Sequence, residues 1–187
     1  MLVALLVGYL FGSFPSADLV TRIATQGQVD IRSAGSGNPG ALNATNVLGK
    51  RWGAVVLVLD VAKGLFAGIL GRAVGVNAGA YAGASASIAG HVFPVWTGFR
   101  GGKGVATSAG ACLAVFPAYF PINFLAAIFS GLRSGRAETG MKVGCAIWVV
   151  AAAAWWLFDL PNLWGPPAGF GLFAFSMIGA GLVYLAF

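Results

Sequence analysis

The sequence predicts an all-α, polytopic membrane protein of seven transmembrane helices, with the amino terminus outside the cell and the carboxyl terminus in the cytoplasm. Three observations carry this expectation. Only 9% of the 187 residues are charged and 58% are hydrophobic, whereas roughly 25% of an average soluble domain is charged. Apolar runs close to the ~20 residues that span a bilayer follow one another along the chain. The eleven Lys and Arg residues fall unevenly between the intervening segments, as topology-setting charges do. A soluble globular enzyme, a disordered chain and a disulfide scaffold are excluded, and one domain covering 1–187 is expected.

The first apolar run, Met1 to about Thr21, lacks the basic start of a cleavable signal peptide and reads as a transmembrane helix. Its Gly8, Gly12 and Ser16 recur every four residues and predict a small-residue packing face. Asp18 and Arg22, four apart, are expected to pair at its end. A polar loop follows from about Ile23 to Trp52. The second span runs from Gly53 to about Gly71, where Asp60 and Lys63 are spaced to share one helix face. The third, about Val76 to Val95, repeats the four-residue spacing in Gly75, Gly79, Gly83 and Ser87, and His91 continues it. A glycine-rich loop covers Gly98 to Gly104. The last two clear spans are Val143 to Phe158 and about Gly169 to Phe187. Pro161, Pro166 and Pro167 separate them, and Trp155, Trp156 and Trp164 suit an interface. Cys112 and Cys145 lie in apolar stretches without metal or redox spacing and are read as isolated buried thiols.

Val105 to Leu132, with Pro117 and Pro121 near the middle, is either one kinked crossing or a hairpin of two short ones. With a hairpin, Arg22, Arg32, Lys50, Arg51, Arg100, Lys103, Arg133, Arg136 and Lys142 share one side. Arg72 then stands alone opposite, and Lys63 lies within a helix. A single crossing evens the distribution, so the positive-inside rule selects the hairpin. Three polar segments, 23–52, 96–104 and 133–142, then face the cytoplasm.

Each of these segments carries groups that suit phosphate. In Gly98-Phe-Arg-Gly-Gly-Lys-Gly104, glycines flank Lys103 and a helix follows, so backbone N–H groups and a positive helix end are at hand. Arg100 and Lys103 add full charges. The same features also fit a tight loop with cytoplasmic marker charges. It is not a nucleotide P-loop: Thr97 stands where the first glycine belongs, and Gly104 stands where Ser or Thr belongs. Ser33-Ala-Gly-Ser-Gly-Asn-Pro-Gly40 and its sequel offer Ser36, Asn38, Asn43, Thr45 and Asn46, either as ligands or as turn formers. His91, three residues before Pro94, is either a hydrogen-bonded structural residue or a base. The basic residues form no stripe despite a pI near 9.8, so no nucleic-acid partner is expected. A single His with scattered carboxylates builds no metal site, and no cofactor is expected.

Ser36-Gly-Asn-Pro-Gly-Ala-Leu-Asn43, Gly90-His-Val-Phe-Pro94 and Gly98-Phe-Arg-Gly-Gly-Lys-Gly-Val-Ala-Thr107 closely resemble the bacterial acyl-phosphate:glycerol-3-phosphate acyltransferase family (PlsY type). Gly12-Ser13 before Pro15 and Asp60-Val-Ala-Lys-Gly64 fit as well, so the resemblance runs in order over nearly the whole chain. It implies seven transmembrane helices with the amino terminus outside, in the bacterial inner membrane. It also implies transfer of a fatty acyl group from acyl phosphate to the 1-hydroxyl of glycerol 3-phosphate, giving lysophosphatidic acid. Carried over by motif, Ser36, Lys103 and His91 are the catalytic candidates. Asn38, Asn43, Asn46, Arg100, Gly101, Gly102, Gly104, Thr107 and Thr139 are the substrate- and phosphate-binding candidates. The chain departs from the family pattern at Leu42, where threonine is usual, and at Asn46, where arginine is. Arg136-Ala-Glu-Thr-Gly140 replaces the third motif, with Thr139 as its hydroxyl. The resemblance implies a further basic segment with His, Asn and Glu after the seventh helix. A chain ending at Tyr184-Leu-Ala-Phe187 fits a truncated member, or one that has lost that segment.

No nucleophile–base pair stands out, so the expected reaction is direct attack by the glycerol hydroxyl, with Lys103 and backbone N–H groups stabilising the departing phosphate. The other reading is a non-catalytic lipid- or anion-binding member of the same family. A transporter is disfavoured, since its sites lie near the midplane on broken helices and these motifs gather on one face.

Overall fold

The computed structural model describes residues 1–122, 125 and 137–187. All regular structure among them is helical: α1 (Leu2–Ser13), α2 (Ser16–Ala24), α3 (Ala41–Leu48), α4 (Lys50–Val92), α5 (Val105–Val115), α6 (Ala137–Leu157) and α7 (Phe170–Leu185), with a 3-10 turn at Val95–Thr97. On length and composition, three stretches suffice to cross a membrane: Leu2–Ala24, Lys50–Thr97 and Glu138–Leu157. The α5 and α7 helices are shorter apolar helices.

The expected second and third spans are the two limbs of α4. Its helix is interrupted at Gly75 and at Val76, where φ is 52°. Gly71 and Gly79 then lie so close that a Cβ on either would overlap the other's carbonyl, which closes an antiparallel hairpin of residues 50–74 and 77–92. The first limb, at ~1.5 Å per residue, exceeds a ~30 Å hydrocarbon core.

The four-residue glycine spacings have their cause in this packing. The α1 helix lies on the second limb, with Gly8 against the Gly83 backbone, Gly12 against the Ser87 carbonyl and Gly90 against Tyr9 and Ser13. Gly64 meets the Thr107 carbonyl on α5, and Gly110 meets the Val61 carbonyl. In lipid, helices associate through such close backbone approach rather than through apolar burial. A Gly12→Val substitution is therefore expected to lower stability by about 1–3 kcal/mol, the usual cost of overpacking. Thermal unfolding in detergent measures it, and an unchanged midpoint would contradict this helix contact.

The larger side chains fill the layer between α4, α5, α6 and α7. Trp148 on α6 meets Phe175 on α7 edge to face at 5.4 Å, and Phe116 stacks on Tyr119 at 5.1 Å. Cys112 and Cys145 are buried free thiols, as their apolar settings predict. At the opposite end from the basic loops, the 158–169 connection is strapped down. Asn162 Nδ2 donates to the Val115 and Pro166 carbonyls (2.9 and 2.7 Å), and Trp164 Nε1 donates to the Leu113 carbonyl (2.9 Å).

Several expectations are corrected. The first span is not one helix: α1 ends at Ser13 and α2 begins at Ser16. Pro15 has no N–H to continue the ladder, and at the break the Phe14 carbonyl accepts the Ser16 N–H (2.9 Å) with a lone pair left for another donor. The 23–52 segment contains the short helix α3, started after extended Gly40 and ended at Gly49 (φ 91°). Asp18 pairs with Arg32 rather than Arg22. In the difficult segment, α5 ends at Val115, a turn covers 117–119 and residues 120–122 are helical again. The remainder of the expected hairpin to Leu132, with Arg133 and Arg136, lies outside the described residues.

Candidate active site

The break between α1 and α2 creates one wall of a polar cleft. Lys63, nearly buried on the first limb of α4, sends its ammonium to the Phe14 carbonyl (3.0 Å) and to Ser16 Oγ (3.4 Å). It forms an ion pair with Asp60 one turn back, at 3.0 Å, as the spacing predicts. From the second limb, His91 places Nδ1 3.7 Å from the same carboxylate and 3.0 Å from Thr107 Oγ1 on α5. Thus α2, both limbs of α4 and α5 each contribute a polar side chain to one buried cluster. An unpaired charge here would be costly, and the Asp60 carboxylate has its cation in Lys63.

The glycine-rich loop roofs this cluster. The Gly101 N–H donates to the Val92 carbonyl (3.0 Å) and the Gly102 N–H to the His91 carbonyl (3.1 Å), so the loop satisfies carbonyls that the end of α4 leaves open. Expected to offer their N–H groups to a phosphate, these two glycines instead use them to fix the loop. A Cβ on Gly102 would stand 2.5 Å from His91 Nε2 and 3.1 Å from the Pro39 carbonyl, and one on Gly101 would overlap the His91 carbonyl. No residue larger than glycine fits this approach. Gly104 adopts φ 75° and starts α5 without a side-chain cap, which leaves the first-turn N–H groups of that helix without a side-chain acceptor. This is the arrangement that binds anions at helix starts.

The second loop closes the cleft from the side. Asn43, buried on α3, accepts the Ser36 N–H at Oδ1 (2.8 Å) and donates from Nδ2 to the Ile31 and Ala34 carbonyls (3.1 and 3.0 Å). Its side chain therefore holds the 31–36 loop in shape. Ser36 stays exposed, and its Oγ accepts the Asn38 N–H (3.4 Å). Arg32 ties the two loops together. Nε and Nη2 form a bidentate pair with Asp18 (2.6 and 2.9 Å), and Nη1 donates to the Arg100 carbonyl.

The small, open cleft so formed is lined by Ser13, Ser16, Arg32, Asp60, Lys63 and His91, with Gly101 and Gly102 at its roof. Thus, of the sequence candidates, His91, Gly101 and Gly102 line it. Gly104 and Thr107 support it from α5, and Thr107 is buried with its hydroxyl on His91. Lys103 stands beyond the roof, its ammonium 3.8 Å from the Phe187 ring centroid. Arg100, Ser36 and Asn46 are exposed, as is Thr139 in the first turn of α6. Ser36, Asn38, Asn43, Asn46, Arg100, Lys103 and Thr139 do not line the cleft. Ser13, Ser16 and Arg32 were missed by sequence reasoning. The available signals were Pro15, which had to end a helix, and Lys63, a charge inside a span that needed acceptors. Among the described residues no group of His, Cys, Asp or Glu could hold a metal ion.

The family model for glycerol-3-phosphate acyltransferase matches residues 2–187. A glycerol-3-phosphate acyltransferase of Maricaulis maris is 43% identical over 159 residues, 73% of this chain and 72% of that protein. One of Erythrobacter litoralis is 38% identical over 164 residues, 88% and 80% of the two. Crystal structures of PlsY (YgiH), an integral membrane glycerol 3-phosphate acyltransferase, superpose with TM-scores of 0.76 for its glycerol 3-phosphate form and 0.75 for its lysophosphatidic acid form. Both are 28% identical and cover 99% of this chain and 86% of that one. With an all-helical fold, motifs in family order and a family match over essentially its full length, the chain belongs to the PlsY-type glycerol-3-phosphate acyltransferases, a family of integral membrane proteins.

Proposed function

We propose that the chain transfers a fatty acyl group from acyl phosphate to the 1-hydroxyl of glycerol 3-phosphate, releasing lysophosphatidic acid and inorganic phosphate. The observation that carries this reading is the meeting of the glycine-rich loop and the Ser36–Gly40 loop over one polar cleft, in a chain whose relatives are named for this reaction. Named relatives at this identity favour the acyltransferase over the non-catalytic binder. The chain is read as a multi-pass protein of the bacterial inner membrane. Seven helices, an outside amino terminus and a cytoplasmic carboxyl terminus follow from the distribution of its basic residues, and the site then faces the cytoplasm. The acyl chain lies in the bilayer while both phosphates stay at the polar loops. One domain, 1–187, contains the whole arrangement.

The chemistry needs no cofactor. The glycerol 1-hydroxyl attacks the acyl carbonyl carbon, a C–O bond forms, and the bond from that carbon to the phosphate oxygen breaks. The hydroxyl proton passes to an oxygen of the departing phosphate. Lys103 and the uncapped N–H groups opening α5 stabilise the charge that develops there. Gly101, Gly102 and Gly104 shape the loop. His91, with its ring against Gly102 and Thr107 and its carbonyl on the Gly102 N–H, is a positioning residue for that loop rather than a base. Ser36 and Asn38 on the neighbouring loop, with Arg100 and Asn46, bind substrate polar groups from the mouth, and Asn43 fixes their loop. Thr139 supplies a hydroxyl from the third segment.

Purified chain in lipid, given glycerol 3-phosphate, is expected to form lysophosphatidic acid with a long-chain acyl phosphate and none with the corresponding acyl thioester. Rapid quenching during turnover should find no acyl group on the protein. An acylated Ser36, chemically competent in the second half-reaction, would replace direct attack with an acyl-enzyme route.

A further inference from the structure

Phe99 holds a backbone conformation that its side chain disfavours. Its φ is 62°, in the left-handed region that bulky residues seldom enter, and it follows Gly98 at φ 63°. Phe99 is 60% exposed, so burial of the ring does not hold it there. Such a conformation persists only where surrounding contacts over-determine it, and here those contacts lie in the backbone. The Phe99 N–H donates to the Pro94 carbonyl (2.9 Å). The next carbonyl, that of Arg100, accepts both Thr97 Oγ1 (3.0 Å) and Arg32 Nη1.

Of these three bonds, the one from Arg32 alone comes from outside the 94–100 turn. Arg32 is itself fixed at both ends. At its root, its N–H donates to Asp30 Oδ1 (2.9 Å), and the carbonyl of neighbouring Ile31 accepts Asn43 Nδ2 from α3 (3.1 Å). At its head, Nε and Nη2 grip Asp18 on α2 in parallel, with the planar fork that distinguishes a guanidinium from an ammonium. Nη1 is thereby aimed at the Arg100 carbonyl, one residue before Gly101. Asp18 matches the charge of Arg32, which suits a strut between segments better than another phosphate ligand.

We infer that Arg32 is a positioning residue, holding the strained Phe99–Arg100 bend, and with it the Gly101–Gly104 loop, where the departing phosphate requires it. The inference rests on the acyltransferase reading and deepens it. Without the strut, Phe99 relaxes toward negative φ and displaces the residues that follow. A displacement of about 1 Å at a reacting centre can cost ~10²-fold in rate.

Hydrogen–deuterium exchange and steady-state kinetics on the full chain in lipid nanodiscs test this together. In Arg32→Met the Phe99, Gly101 and Gly102 amides, all hydrogen-bonded in the intact chain, are expected to exchange about tenfold faster, the size of one hydrogen bond. Exchange in α5 and in residues 77–92 should stay unchanged. kcat should fall about 10- to 100-fold, with the KM for glycerol 3-phosphate moving less than about threefold. Arg32→Lys keeps the charge but cannot fork onto Asp18 and reach Arg100 at once, so its kcat should stay within about threefold of Arg32→Met. Adding Phe99→Gly to Arg32→Met should regain about threefold or more, because glycine adopts a positive φ freely. Asp18→Asn, which loosens the head of Arg32 without removing it, should shift exchange and kcat in the same direction by less, and it carries the test if Arg32→Met does not fold. Unchanged loop exchange, full recovery by Arg32→Lys, no gain from Phe99→Gly, or a loss confined to KM, which marks a substrate ligand, overturns the inference. Loop exchange that responds as expected in a chain forming no lysophosphatidic acid sustains the strut and defeats the acyltransferase reading instead.

Discussion

Lys103→Met is expected to lower kcat by about 10²- to 10³-fold, the range seen when one preorganised charge-stabilising donor is removed, while the protein remains folded. Lys103 immediately precedes Gly104, whose φ of 75° turns the chain into α5. The fold asks little of Lys103. Its described partner is the half-buried Phe187 ring at 3.8 Å, a cation–π contact of about 0.5–2 kcal/mol. Stability and activity should consequently separate: a small change in unfolding midpoint beside a large change in kcat. Steady-state kinetics with acyl phosphate together with a thermal melt make the comparison. A loss below threefold would remove Lys103 from the account.

Lys63→Met should do the reverse and act first on stability. Lys63 and Asp60 are both nearly buried, at 6% and 2% exposure, and breaking such a pair by removing one partner typically costs about 3–5 kcal/mol. The Phe14 carbonyl loses one of its donors and Ser16 Oγ loses the ammonium at the same time. Because the surviving Asp60 charge is the main liability, adding Asp60→Asn to Lys63→Met should recover part of the loss, giving a favourable coupling in a double-mutant cycle. Additive effects would show that the pair does not act as a unit. Activity should fall with both variants, since the pair forms the floor beneath the glycine loop.

The sequence made the helix count of the two α4 limbs and their packing faces readable, because lipid leaves only close backbone contact to drive association and glycine is the residue that permits it. Gly8, Gly12, Gly83 and Ser87 recur at helical spacing and meet in space for that reason. The Asp60–Lys63 pair was legible from spacing alone. Other features depend on what folds back from far away. Arg22 has the right spacing for Asp18, but Arg32 reaches it from a loop and does so with two parallel hydrogen bonds, a geometry available to a guanidinium in a suitable position. The glycine loop was recognisable as a loop near a helix start. That Gly101 and Gly102 give their N–H groups to Val92 and His91 could not be read from the motif, because the acceptors are set by how α4 ends. Ser13 stands in the Gly12-Ser13 motif, but only the tertiary arrangement buries its hydroxyl without a partner. Within Ser36 to Asn46, side-chain chemistry was visible, but the division of labour was not: Asn43 turns inward to hold the loop, whereas Ser36 and Asn46 remain exposed.

The central claim is that this chain joins an acyl group to glycerol 3-phosphate at the cleft beneath the glycine loop. The most direct test follows inorganic phosphate and lysophosphatidic acid together, using the purified chain in lipid with glycerol 3-phosphate and a long-chain acyl phosphate. The account predicts one phosphate released for each lysophosphatidic acid formed, and both lost together in Lys103→Met. Phosphate release without lysophosphatidic acid, or no product from folded protein, would contradict it.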